Sequence, residues 1–247
     1  MLGQEKDTVA FFRAYKSSLT DIQTYVSQLY AKYSTDGVLS LNDMYLKTRY
    51  SDMEKEINNI VKSLGNKEKD YFKSELTKTY EKSYISTGTI LTEGIPKLAI
   101  NFNKIPTGFV NTALTYPWSG DSYSNRIWKN KEALISNLKQ TLTRGFINGS
   151  SISNMTKDLK GVLDGSATAC RKLIRTEAMH CIGASHNDTY KAAGVKRVKF
   201  ITAEDDRVCK ICNGIANSSK NPFLIEDAPM IPIHANSRSI SIPYFED

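Results

Sequence analysis

TACRKLIRTEAMHCIGASHNDTYKAAGVKRVKFIT, residues 168–202, changes its hydrophobic period partway along. From about Thr168 to Ala193 it reads as one long helix, closed by Gly194, a residue suited to a helix C-terminus. Beyond Gly194, Val198, Phe200 and Thr202 alternate with charged or polar neighbours, the period of a strand with one buried face. Residues 238–244, RSISIPY, alternate in the same way and place Ile240, Ile242 and Tyr244 on one face. Pro243 suits an edge strand or a strand end. The expected fold is mainly α with a small C-terminal α+β module, its long helix packed on a short antiparallel sheet that holds 196–202 and 238–244.

Upstream, helical periods dominate. Phe12, Tyr15, Leu19, Ile22, Val26, Leu29 and Tyr33 repeat at 3,4 spacing, an apolar seam that faces a partner helix. That partner is either another helix of this chain or, through residues 12–33, a second copy. Thr35-Asp36-Gly37 ends the rod, and Ser40 with Asp43 forms a capping box for a second helix through Leu64. Asn66 can cap a third, carrying Phe72, Leu76, Tyr80 and Tyr84, and short connections favour an antiparallel bundle. Between 86 and 122 the pattern breaks at Pro96, Pro106 and Pro117. Helix resumes near Ser124, with Ile127, Leu134, Leu138, Leu142 and Phe146 on one stripe that stops at Gly149, and a short helix spans about 153–163. These breaks divide the chain into a helical region, 1–115, and a motif-bearing region, 116–247.

With 247 residues the chain is long enough to bury a core without disulfides, and its 4 cysteines are too few for a disulfide scaffold. A reducing compartment is expected. No stretch is apolar enough for a membrane span, and the polar start lacks the basic-then-apolar order of a signal peptide. The net charge of +7 is unevenly placed: 126–199 holds 14 Lys/Arg against 5 Asp/Glu. Such a concentration is either a solvated helix surface or a footprint for a polyanion, in which case contact would be to phosphates without sequence choice.

Three patches carry chemistry. Arg175-Thr176-Glu177 lies on the long helix, where residues two apart diverge by about 200° and cannot pair with each other. Asp205-x-Arg207-x-Cys209-x-x-Cys212 follows the strand, and Pro232-x-His234-x-x-Ser237-Arg238 leads into the last strand. Cys209, Cys212 and His234 supply three of the four donors of a Cys/His zinc site. Ser237 holds the fourth position, and its hydroxyl does not ionise near neutrality as a thiol does. The alternative is a dithiol loop with a hydrogen-bonded histidine. Arg175, Glu177, Asp205, Arg207 and Arg238 form a candidate network that ties helix, knuckle and last strand together.

The order and spacing of these patches resemble the phage Mu F-like minor head protein (head morphogenesis) family. Trp118-Ser-Gly, with Ser124-x-Arg126-Ile-Trp128, resembles a stretch upstream in minor head proteins, and Ser237 stands where the family has cysteine. The resemblance covers residues 116–247. It implies a non-enzymatic minor capsid protein: a low-copy virion component held inside the head near the portal after assembly in the host cytoplasm. Its implied roles are capsid assembly and DNA packaging and ejection. The implied partners are the portal protein, other head proteins (scaffold or major capsid) and double-stranded DNA read without sequence specificity. The competing class is enzymatic: a zinc-dependent hydrolase with Glu204 or Asp206 as base, or a nucleotide-using transferase. The sequence contains neither a Gly-rich phosphate loop nor H-E-x-x-H.

Overall fold

The computed structural model describes residues 2–95, 98–235 and 237–245, with side chains from Phe11 onward. Seven helices and three strands follow one another among them. They are α1 (Leu2–Tyr33), α2 (Leu41–Tyr45), α3 (Arg49–Gly94), α4 (Phe109–Thr115), α5 (Tyr123–Ile147), α6 (Ile152–Ala192), β1 (Arg197–Ile201), α7 (Lys210–Ala216), β2 (Phe223–Leu224) and β3 (Ile240–Tyr244). This is the expected mainly α fold with a small C-terminal α+β module. No described helix is long and apolar enough to cross a membrane.

Several local signals act as their chemistry dictates. Ser40 and Asp43 close the capping box at α2. Gly149 and Gly194 follow α5 and α6 with φ of 61° and 75°, conformations a side chain resists. Two expected breaks do not occur. The expected second helix is itself divided, its capped start forming α2 and the rest joining the third helix as α3, because Val61, Leu64, Phe72 and Leu76 are all buried on one stripe, and burial along it outweighs the capping preference of Asn66. Likewise 153–163 and 168–193 are one helix, α6, since Met155, Leu159, Leu163, Ala167 and Cys170 continue a buried stripe. Gly165, between them, and Gly161 just before face open space and cost the helix only their backbone entropy. Pro96, read as a helix interruption, lies outside the described residues.

The chain divides into two compact units, residues 1–71 with 124–172 and residues 72–123 with 173–247. This differs from the expected division at 115/116, because α3 and α6 each contribute one part to each unit. In the first unit, contacts run in opposite directions along paired helices. Tyr15, Gln23 and Tyr30 of α1 meet Ser166, Thr156 and Ser150, and Tyr50, Glu54 and Glu68 of α3 meet Thr143, Lys139 and Lys131 of α5. These are antiparallel pairs. The α1 seam is spent inside the unit, with Tyr15, Ile22, Val26 and Leu29 buried.

The centre of that core is polar. Lys131 Nζ donates to Glu68 Oε1 at 2.5 Å and to Tyr15 Oη at 2.7 Å, and Tyr15 also meets Ser166 Oγ at 3.3 Å. Burial, with the Glu68 charge second, pushes the Tyr15 phenol and the nearby Cys170 thiol up. Gly65 lets α5 come this close, since a Cβ there would strike the Trp128 ring and the Lys131 stem.

In the second unit the three strands are antiparallel in the order β2-β1-β3. Val198 and Phe200 of β1 point inward, Val198 into a cluster with Leu91, Tyr190 and Val195, and Phe200 into one with Phe223 and Ile231. Tyr190 of α6 also donates to the Ser241 carbonyl at 3.3 Å, so the long helix packs on the sheet. β3 departs from its sequence pattern. Ile240, Ile242 and Tyr244 do share a face, but it is the exposed one, while Ser241 pairs with inward Phe200 and Ser239 is buried.

Candidate metal centre and its polar surroundings

The C-x-x-C does not sit in a free knuckle. Cys209 is the N-cap of α7, its Sγ accepting from the Cys212 backbone N–H at 3.4 Å, and Cys212 is buried in the first turn. Both thiols therefore face the same side of one helix start. His234 arrives from the turn before β3. Its Nδ1–H donates to the Ala235 carbonyl at 2.9 Å, which leaves Nε2 for the sulfurs, 3.0 Å from Cys209 Sγ and 3.4 Å from Cys212 Sγ. Ser237, also buried, places Oγ 3.6 Å from Cys212 Sγ.

The electrostatics favour a thiolate. The Cys212 backbone N–H, then the Cys212 thiol and His234, bring the Cys209 thiol down to about 7. The Ala235 carbonyl, then Cys209, moves His234 up from its ordinary value. The three donor atoms lie within 4.8 Å of one another. Donors at the corners of a tetrahedral zinc site stand about 3.3–3.8 Å apart, given bonds of about 2.0–2.3 Å, so the set fits that ion. Cys209, Cys212 and His234 would hold it, with the Ser237 hydroxyl or water in the fourth position. The cavity against these residues is about 30 Å³, room for one water-sized group. All four cysteines of the chain are unbridged.

The five-residue network resolves into two separate groups. On the loop side, Arg238 holds Asp205 bidentately, one bond being Nη1 to Oδ2 at 2.7 Å. Arg207 adds its backbone N–H at 3.0 Å, while its guanidinium is a more distant 3.5 Å and largely solvated. The Arg238 bonds, with the Arg207 N–H second, hold the Asp205 carboxyl down at about 2. On the helix side, buried Glu177 accepts from Trp118 Nε1 at 3.0 Å, and the Trp118 ring stacks on His180 at 5.2 Å. His180 Nε2 in turn meets the Ala113 carbonyl at 3.1 Å. Arg175 is exposed and makes no ion pair among the described residues; with Thr176, Ser237 and Arg238 it lines a cavity of about 180 Å³. Arg175 thus stands outside the expected network, in which the Asp205 carboxylate is held by Arg238.

Two features went unread in the sequence. The Trp118–Glu177 bond joins residues 59 apart, beyond the reach of any local pattern. A cavity of about 320 Å³ is lined by His186, Asp188, Tyr190, Lys191, Glu226 and Met230 among others. There burial lowers His186 and raises Asp188, which accepts from Tyr80 Oη at 2.5 Å. The basic run 126–199 is shared between the two units, and Lys131 within it is fully buried. No protein-family model, curated protein or solved structure matches this chain.

Proposed function

We propose that the chain is a phage minor head protein of the Mu F-like kind, a structural virion component that works by docking on larger assemblies. What supports this is how the motif residues other than Arg175 and the Arg207 guanidinium spend their bonding capacity: on one another. Trp118 meets Glu177, Asp205 meets Arg238, and Cys209 and Cys212 meet His234. Arranged so, the signature serves cohesion of the C-terminal module, with zinc as a cross-link between α7 and the turn before β3. A zinc-dependent hydrolase needs a substrate beside the metal, and ligand sites span about 300–1,000 Å³. The cavity of about 30 Å³ at the cysteines favours a closed, structural ion instead.

In this reading the portal protein is the principal partner, inside the head, with scaffold or major capsid protein as neighbours during assembly. Heads of the phage that encodes this sequence should contain the polypeptide at low copy, and it should co-sediment with isolated portal rings. Purified particles without it would overturn the proposal. The basic 126–199 segment gives DNA a secondary place. Duplex affinity should then fall with salt at a log–log slope of about −0.9 per phosphate contact, and a flat response would remove DNA as a partner.

A further inference from the structure

β3 inverts the usual rule for a sheet with one solvated face. Such a face carries polar side chains and the inner one apolar side chains. Here Ile240, Ile242 and Tyr244 are outward, 36–38% exposed, and serines are inward. The small serines let α6 approach the inner face, where Tyr190 donates to the Ser241 backbone carbonyl. The outer apolar side chains have no such use within the sheet. Leu224, half exposed on β2, extends the same face, since it pairs with Arg197, which pairs in turn with Tyr244.

The strand edge is closed to a further strand. The Phe200 N–H and C=O bond the Asn221 side chain on the β2 side. By alternation Val198 also points toward β2, and Arg197, Lys199 and Ile201 bond β3. Ser241 and Pro243, the partners of Phe200 and Val198, therefore turn their backbone groups away from the sheet. Proline puts no N–H at that outer position, and the Ser241 carbonyl already accepts from Tyr190. A partner must lie on the face rather than add to the edge.

The charges on the face choose the partner. Lys199, exposed, stands directly beside Ile242, and Arg197, half-buried with Nη1 donating to the Pro222 carbonyl at 2.9 Å, stands beside Tyr244. A second copy docked face to face would bring these cations together in a desolvated contact. We propose that the outer face of β1–β3 docks an acidic amphipathic helix of another protein, its apolar side on Ile240, Ile242 and Tyr244 and its carboxylates on Lys199. This holds whatever larger assembly the chain serves.

The test uses the full chain and two synthetic helical peptides with leucines at i, i+3, i+4 and i+7, one flanked by glutamates and the other by lysines. Fluorescence anisotropy should show the glutamate peptide binding at least about tenfold tighter. Lys199→Glu should invert that preference, and Ile242→Ser should weaken the glutamate peptide about tenfold. Unchanged far-UV circular dichroism verifies that each variant folds, and Lys199→Gln, intermediate in effect, repeats the charge test without reversing the sign. Equal binding of both peptides, or of neither, overturns the proposal. So does concentration-dependent sedimentation abolished by Ile242→Ser, which marks a second copy. Duplex DNA binding lost in Lys199→Glu but kept in Ile242→Ser marks a phosphate surface and overturns it as well.

Discussion

The two units hold the same kind of bond in opposite surroundings. In the first, Lys131 and Glu68 are each 1% exposed, within a bundle of apolar stripes. In the second, Arg238 and Asp205 are about one-third exposed, on loops beside a three-stranded sheet. Water solvates the second pair even when it breaks, so its bond contributes little to net stability and much to local geometry. Water does not reach the first, so loss of either partner strands a charge in a low-dielectric core. The bundle is thus held in register by a polar centre that tolerates no half-measure. The small module is pinned instead by several replaceable cross-links.

The sharpest way to break that contrast is at Lys131. Lys131→Ala should destabilise the protein by about 3–5 kcal/mol in denaturant unfolding, since it leaves Glu68 buried and unpaired. Removing both charges together, Lys131→Met with Glu68→Leu, should recover most of that loss because two apolar side chains of similar volume need no solvation. If the double variant is as unstable as the single one, packing rather than charge dominates the centre. Next in size is Glu177, buried in the second unit. Glu177→Ala leaves the Trp118 Nε1–H without this acceptor and should cost about 1–3 kcal/mol, read in the same unfolding experiment and in the Trp118 fluorescence.

The buried pair also went unread, although the sequence carries its signal. Ile127, Leu134, Leu138 and Leu142 define the α5 stripe, and Lys131 lies on it at helical spacing; Glu68 does the same between Leu64 and Phe72 of α3. A lone charge at an apolar-periodic position on each of two helices is a signal that they meet. Apolar period, caps and terminal glycines announced α1, α2, α5 and most of α3 and α6, but not α4 or the last turns of α3, which lie in the 86–122 stretch read as a break. Continuity across Asn66 and across Gly165 was not announced, because burial against other segments outweighs local propensity there. At the candidate metal site the residue types and spacing identified Cys209, Cys212 and His234. They said nothing of α7, whose start turns both sulfurs to one side. For β3 the alternation gave the right partition of side chains and no sign of which face meets the core, since period 2 is the same from either side.

Metal chemistry sharpens the contrast from the side of the small module. Ser237→Cys converts three strong donors into four and should tighten zinc at least about tenfold, near 1.4 kcal/mol, in competition with a chromophoric chelator. If the set holds zinc as proposed, Cys212→Ser should abolish zinc binding, and removal of zinc from the loaded protein should loosen residues 231–235 and 237–239 in hydrogen exchange while the first unit stays protected. A smaller effect is expected at Arg238. Asp205, held well below its ordinary value, contributes stability that is present above about 3.9 and is lost as pH falls toward about 2. Arg238→Ala should return the Asp205 carboxyl to the ordinary carboxylate range by carbon-13 titration, and so flatten the acid end of the stability curve.

The least effect is expected at Arg175, and it separates two views of the motif. If Arg-Thr-Glu acted as a unit, loss of the arginine would cost as much as loss of the glutamate. The side chains leave the helix about 200° apart, and only Glu177 is buried against a partner. Arg175→Ala should therefore leave the melting temperature unchanged while Glu177→Ala lowers it. A drop at Arg175 comparable to that at Glu177 would mean that the guanidinium reaches an acceptor across the 180 Å³ cavity it shares with Ser237 and Arg238. In that event the helix and loop groups would be one network, and the buried Glu177 contact would no longer stand apart from the replaceable loop contacts of the second unit.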